Sequence, residues 1–447
     1  MDLAGLIPTF GNIIWTIAAF VAALSVIVAI HEYGHYIVGR WTGIKAEVFS
    51  IGFGPVLASR VDKHGTKWQI AALPFGGFVK FLGDAGAASD KDESVMDGLT
   101  EEERRSTMHG APLWARALTV SAGPVFNFIL SFLIFAMLIM YRGVAADPIT
   151  VSDLRTLPDA PVAGLQAGDV ILEVEGQAVP ATEDFATFAR EELTPARELT
   201  YTVDRDGQVL EVPGPWLYPI YVSAVTPNWA AEEAGLEVGD VITAVDGTEI
   251  FDFEQLREIV GDSDGAPLTL DVWRNGEMLS FTMTPARRDL PLADGGFETR
   301  WLIGLSGGLA FEPASTTPSL GEAAAHGVDQ IRFIITSSLS GLYHMVAGKI
   351  STCNLSGPIG IAETSGQAAS QGWFSFIYFI ALLSTAVGLI NLFPIPVLDG
   401  GHLVFYAFEA LTGRPPSDAA LKYLMVGGLT LMLALMLFSV GNDLVCP

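Results

Sequence analysis

Residues Ile13–Ile30 carry no charged side chain, and they run straight into His31-Glu32-Tyr33-Gly34-His35. A stretch of that length and polarity spans a hydrocarbon core as a helix. The chain is therefore expected to be a membrane protein whose first span ends in ionisable groups. On a helix, residues four apart share a face, so the two histidines of H-E-x-x-H can hold one Zn²⁺ together. The Glu beside them is placed to take a proton from water activated there. Ionisable groups at membrane depth are costly, which favours a functional site over two histidines and a Glu merely snorkelling to the interface. The motif predicts a zinc protease working in the membrane.

The remaining composition points to a mixed design. The chain is 50% hydrophobic and 17% charged. That is too apolar for a soluble enzyme and too charged in its middle for a protein made only of spans. Net charge is −26, and Gly143–Ala368 holds 34 acidic and 11 basic residues, so −23 of it lies in one central block. Such a block repels phosphate backbones and excludes nucleic acid as a partner. Cys353 and Cys446 have no C-x-x-C neighbour and cannot form a zinc cluster. They are expected to be inert, with pairing the minor alternative. No Lys or Arg precedes the first apolar run and no A-x-A site follows it, so an uncleaved span is expected, not a signal peptide.

Four apolar stretches are long enough to span: Ile13–Gly39, Leu113–Tyr141, Trp373–Phe393 and Tyr423–Val440. Arg40 and Lys45 follow the first, Arg104, Arg105 and Arg116 flank the start of the second, and Arg414 and Lys422 lie between the third and fourth. This bias places Arg40–Pro112 and Pro394–Leu421 in the cytoplasm, with both termini and the acidic block outside. Arg142 and Lys349 pull weakly the other way.

Between the first two spans, Val56–Val61 and Trp68–Leu73 flank Lys63-His64-Gly65 and read as a hairpin, followed by the glycine-rich Pro74-Phe75-Gly76-Gly77. A hairpin edge near Gly76 and Gly77 could pair with an extended substrate, or the hairpin could simply pack. Asp84–Gly110 reads as a polar loop with a short helix capped by Thr100 and Glu103. In the second span, Ala122-Gly123-Pro124 and Asn127 suggest close helix packing, not chemistry.

The acidic block contains a repeat. Ala163-Gly164-Leu165-Gln166-Ala167-Gly168-Asp169-Val170-Ile171 recurs as Ala234-Gly235-Leu236-Glu237-Val238-Gly239-Asp240-Val241-Ile242, and each copy leads to an Asp-Gly or Asn-Gly turn, Asp206-Gly207 and Asn275-Gly276. The pattern resembles PDZ domains, which capture extended chains by strand addition. Ser319–Lys349 then reads as an amphipathic helix lying on the outer membrane face or packed on the second repeat. Because the repeats sit between the second and third spans, they are expected to filter substrates by the size of their outer portion, a ligand-operated switch being the alternative.

The third span ends in Asn391-Leu392-Phe393-Pro394-Ile395-Pro396-Val397-Leu398-Asp399-Gly400-Gly401-His402. Two prolines two apart break the helix and free backbone groups, which is tolerated at membrane depth only where protein or water covers them. A zinc on His31 and His35 lacks a third protein ligand. Asp399 fits that place, and His402 is the alternative.

HEYGH in the first span, GFGP, PFGG, AGP with a following Asn, the tandem repeat, SGPIGIA and NLFPIPVLDGGH together resemble the site-2 protease family (M50 type), in its four-span form with tandem PDZ domains. The resemblance covers essentially the whole chain. It implies a multi-pass α-helical membrane protein with a membrane-associated β-hairpin and PDZ-like α/β domains. The implied division is a first membrane half (1–142), PDZ-like domains at 143–215 and 216–289, a linker with interfacial helix (290–350) and a second membrane half (351–447). It implies that His31, His35 and Asp399 bind Zn²⁺, that Glu32 is the general base, and that Asn391 and the Pro394–Pro396 break help hold substrate. Relatives that carry an asparagine five residues before Asn391 differ from this chain, which has Ala386. The implied substrates are single-span membrane proteins, such as an anti-sigma factor already trimmed outside, and signal-peptide remnants. They would be cut toward the cytoplasmic side of a bacterial inner membrane, with the PDZ domains periplasmic, in regulated intramembrane proteolysis during a stress response. The rival from another class is a catalytically inert PDZ membrane scaffold, against which the intact Glu32 argues.

Overall fold

The charge-free run and the histidine motif lie on one continuous helix, α1 (Leu6–Trp41). The computed structural model describes residues 6–84, 98–158, 164–227, 229–292 and 296–446. The chain divides into two units, Met1–Leu138 with Leu320–Pro447, and Ile139–Ser319. Among the described residues, four helices are long and apolar enough to cross a membrane: Ile13–Trp41, Leu113–Arg142, Trp373–Asn391 and Asp418–Val445. These correspond to the four expected spans. The last begins earlier than its apolar run because Ser417 caps it, accepting from the Ala420 amide.

After α1 come β1 (Ala46–Val61) and β2 (Lys67–Phe81). The expected hairpin is present, with Arg60 opposite Trp68 and Val61 opposite Lys67. The pairing also goes further than the apolar pattern indicated. Phe49 lies opposite Trp68 on one side and Val79 on the other, so 46–51 is an inner strand between 67–70 and 77–81. Gly52 and Gly54, with φ of 88° and 83°, make the fold-back that other residues would resist. The layer packs on α1 through Tyr36, Phe49, Val79 and Phe81. Asp62 fastens it: its carboxylate accepts from the Tyr36 hydroxyl (3.1 Å), the Trp68 indole (3.0 Å) and the amides of His64 (2.8 Å) and Thr66 (3.0 Å). The capping box of Thr100 and Glu103 heads α2 (Glu101–Arg105) as expected. Residues 85–97 of the predicted loop lie outside the described residues. The second span is α3 (Leu113–Arg142).

In the second unit, β3 (Val144–Ala145) and β4 (Val151–Leu154) lead into the repeat. The first copy gives β5 (Val170–Val174), β6 (Gln177–Ala178), α4 (Phe185–Glu191), β7 (Glu198–Arg205) and β8 (Gln208–Pro215). The second gives β9 (Val222–Val225), α5 (Ala230–Ala234), β10 (Val241–Val245), β11 (Thr248–Glu249), α6 (Phe253–Asp262), β12 (Leu268–Arg274) and β13 (Glu277–Met283). The sheets have the same order, β6-β5-β7-β8 and β11-β10-β12-β13. The tight turns have left-handed residues, Asp206 (φ 55°) and Asn275 (φ 50°), each followed by glycine, as two-residue hairpins require. The repeated Gly-Asp also has a structural reason. Asp169 is fully buried and accepts from Arg205 Nε (2.6 Å) and Nη2 (2.8 Å), and Asp240 accepts from Arg274 in the same way (2.6 and 2.7 Å). Buried carboxylates need such forked partners.

The stretch expected as linker is largely strand. β14 (Ala286–Pro291) pairs with β15 (Phe297–Leu302), then β16 (Leu305–Gly307) pairs with β9, β17 (Phe311–Pro313) with β4, and β18 (Ser315–Thr316) with β3. One returning segment therefore serves both copies, and Phe311 sits in the core of the first. β16, β17 and β18 are two or three residues long, too short to show a period of two, so sequence could not reveal them.

The chain then re-enters the first unit as α7 (Leu320–Val346), α8 (Pro358–Ser370), the third span α9 (Trp373–Asn391), α10 (Asp399–Thr412) and the last span α11 (Asp418–Val445). The expectation of inert, unpaired cysteines is wrong: Cys353 and Cys446 form a disulfide across a separation of 93 residues. The ends meet because Asp443 accepts from the amides of Gly357 (2.7 Å), Ile359 (3.0 Å) and Gly360 (3.2 Å), capping α8, while Asn442 donates to the Thr352 carbonyl. Two cysteines so far apart carry no local signal of this juxtaposition.

Candidate metal centre

On α1, His31 and His35 project from one face, and their Nε2 atoms approach to 3.2 Å. Asp399 Oδ2 lies 3.2 Å from His31 Nε2 and 3.5 Å from His35 Nε2. Among the described residues this is the group of three His, Cys, Asp or Glu side chains brought to a common point, with ligand atoms all within 4.8 Å. His402 is not in the cluster, and its ring packs against Phe405.

The broken span explains how Asp399 arrives there. Pro394 and Pro396 supply no amide and cannot continue α9. The chain doubles back through Ile395 N–H to the Phe393 carbonyl (2.7 Å) and Leu398 N–H to the Ile395 carbonyl (2.8 Å), and Asp399 is the first residue of α10. Gly400 follows because a side chain there would run into the carbonyls of Leu392 and Phe393.

Three lone-pair atoms face one point, and Asp399 Oδ2 is buried with no hydrogen-bond donor. A bare buried carboxylate oxygen is costly unless a cation sits against it. Tetrahedral zinc with nitrogen at about 2.0–2.1 Å holds two ligand nitrogens roughly 3.3 Å apart, close to the spacing of the two imidazoles. The donor set and its geometry fit zinc.

The helix that orients the histidines is α3. His35 Nδ1 lies 2.8 Å from the Thr119 carbonyl, to which it donates, leaving Nε2 with its lone pair. His31 Nδ1 lies 3.2 Å from the Asn127 amide, whose Oδ1 is buried without a partner. Turning that amide over lets Oδ1 accept from Nδ1–H, which leaves His31 Nε2 with its lone pair. Between the two contacts, a Cβ on Gly123 would stand 2.6 Å from His35 Cε1 and 2.7 Å from His31 Cε1. The AGP segment is thus a close packing site, as expected, but Asn127 does more than pack. The available signal was its spacing: Thr119, Gly123 and Asn127 recur every four residues and share one face of α3.

Glu32 is half-buried beside the edge strand 77–81. Gly77 lies so close that a Cβ there would be 3.3 Å from Glu32 Cγ. Gly76, at φ 127°, abuts the Phe53 ring. Asn391 donates to the Val387 carbonyl of its own helix, Pro394 is exposed and Pro396 half-buried. Of the five expected substrate-contact positions, Gly77 is the one seen against the motif.

The family model for peptidase family M50 matches residues 19–435. A protein of Agrobacterium fabrum, named as a zinc metalloprotease, is 37% identical over 434 residues, spanning 96% of this chain and 95% of its own. A zinc metalloprotease by name from Rhizobium meliloti is 35% identical, over 97% of each chain. The regulator of sigma-E protease RseP of Salmonella typhimurium is 33% identical over 97% of this chain and 99% of its own. With a membrane helix carrying H-E-x-x-H and an aspartate brought to it from the far end of the sequence, the chain belongs to peptidase family M50 and is a membrane-bound zinc metalloprotease.

Proposed function

We propose that the protein cleaves single-span membrane proteins within the bilayer, with His31, His35 and Asp399 as zinc ligands and Glu32 as the general base. The observation that carries this is the unpartnered Asp399 Oδ2 meeting two imidazole nitrogens on an apolar helix, one residue from a carboxylate. Zinc, when bound, polarises the scissile carbonyl and makes water nucleophilic near neutral pH. Glu32, set against Gly77 of the edge strand, takes the proton from the attacking water and hands it to the leaving nitrogen. Thr119 and Asn127 hold the imidazoles in place through their Nδ1 atoms. A substrate helix must unwind before its carbonyl is open to attack. The β1–β2 layer with Gly76 and Gly77, and the Asn391 and Pro394–Pro396 break, would offer replacement hydrogen bonds to the unwound stretch.

The loop charges orient the site toward the cytoplasm and the acidic unit outward. The disulfide supports this, because it falls on the side so assigned to an oxidising compartment. The repeated sheets at 143–215 and 216–289 act as PDZ-like domains in a bacterial inner-membrane protease, screening substrates such as a trimmed anti-sigma factor or signal-peptide remnants. Purified Glu32→Gln should retain one zinc per chain and lose cleavage of a tagged single-span substrate by at least about 10²-fold, as removal of a general base does. Asp399→Asn should lose zinc as well. Normal turnover by Glu32→Gln, or full zinc in Asp399→Asn with loss in His402→Ala, would overturn these assignments.

A further inference from the structure

The carboxylate of the metal centre sits on a helix with little to hold it. Asp399 opens α10, which is entered through a proline-broken segment and left through the left-handed Gly413. α10 is only 14 residues long and its buried residues are the two glycines Gly400 and Gly401, so apolar side-chain burial does little to fix its position. Some ten residues beyond Asp399, α10 meets α3 at a polar contact. Arg116 Nη1 donates to Glu409 Oε2 (3.0 Å) and Nη2 to Glu409 Oε1 (2.6 Å), with both side chains more than four-fifths shielded. The guanidinium is itself fixed, since Nε donates to the Ala111 carbonyl (3.1 Å) and its plane lies over the Tyr406 ring at 5.2 Å. Tyr406, one turn before Glu409, packs with Leu403 against the cluster that contains Tyr36, the neighbour of His35.

A forked Arg–carboxylate pair fixes angle as well as distance, which a lysine point charge does not. We propose that Arg116 and Glu409 are positioning residues for the metal centre, locking the helix that carries Asp399 onto α3, the helix that orients His31 and His35. The pair touches no reacting atom. It acts by keeping the third donor in register with the other two, so its loss should show first in how firmly the metal is held.

This rests on the zinc assignment above, so the test begins with wild type and Asp399→Asn. Full-length protein in detergent is loaded with zinc, and retention is measured against graded EDTA. If wild type holds no zinc, or Asp399→Asn holds it as firmly, the metal reading itself fails. Given that baseline, Glu409→Gln should hold zinc about 10-fold or more weakly, the scale seen when outer-shell partners of metal ligands are removed. The exchange Arg116→Glu with Glu409→Arg should recover at least half of the loss on a logarithmic scale. Arg116→Lys, which keeps the charge without the fork, should weaken retention too, and it serves if Glu409→Gln does not fold. Wild-type retention in a folded Glu409→Gln or Arg116→Lys protein would overturn the proposal, as would a loss that the exchange fails to restore.

Discussion

At Gly123 a single methyl group would strike the metal centre itself, because its Cβ would enter the space between the His31 and His35 rings. Gly123→Ala should fold with its spans intact yet lose most of its zinc, as metal analysis of the purified protein would show. Asn127→Ala should be milder, weakening zinc by about 10–100-fold, the usual range for an outer-shell partner of a histidine ligand. A normal zinc content in Gly123→Ala would mean that α1 and α3 can separate at no cost. At this scale the sequence was informative wherever chemistry is written as a local motif. H-E-x-x-H is legible because helical spacing alone brings its groups together. The broken span left Asp399 and His402 as candidates for the third position, and only coordinates show which of the two lies beside the histidines. Asn127 stayed hidden because its spacing from Thr119 and Gly123 marks a shared face of α3 but not that this face meets the histidines.

The β1–β2 layer and the carboxyl end of α11 show what elements need in order to stay where they are. Partial burial works against ionisation of Asp62, but the Trp68 indole, the His64 and Thr66 amides and the Tyr36 hydroxyl hold its pKa down at about 2. A carboxylate with a depressed folded-state pKa stabilises fully above its ordinary value, near about 4, and that contribution disappears as pH falls toward 2. Asp62→Asn should therefore lower the unfolding temperature most at pH 5–7, with the gap to wild type closing in acid. A gap independent of pH would show that Asp62 acts by shape and not by charge. At the other end, Cys353→Ser or reduction should loosen α11 from the α8 cap and lower thermal stability, while Asp443 and Asn442 keep some of the attachment. Sequence showed the hairpin but not its inner strand, because Gly52 and Gly54 set 46–51 apart from the hairpin and its pairing depends on the fold-back they make.

For the whole molecule, the returning segment decides how the second unit can be manipulated. β18 pairs with β3, so the chain leaves this unit about 5 Å from where it entered, the spacing of neighbouring strands. Replacing Val144–Thr316 with a short flexible linker should leave a folded, zinc-loaded protein that still cuts a trimmed substrate in a Glu32-dependent way. If the second unit filters by size, the shortened protein should also cut substrates with bulky outer domains. If the unit switches the enzyme on, even trimmed substrate will be spared. A deletion that stops at Pro285 should instead give a sticky, unstable protein, because Phe311, 1% exposed, would lose the core it fills. The repeat itself was readable, since its turns and buried Asp residues recur at fixed places, but the sharing of one segment between its copies was not. That sharing has a consequence for biosynthesis. A ribosome delivers the first copy of the repeat long before it delivers β17, so the earlier lobe must wait, unfinished, while the later one is made and the chain returns. A nascent chain halted anywhere between the two copies and Phe311 would expose an open first lobe, giving housekeeping proteases one site at which to recognise every such incomplete product.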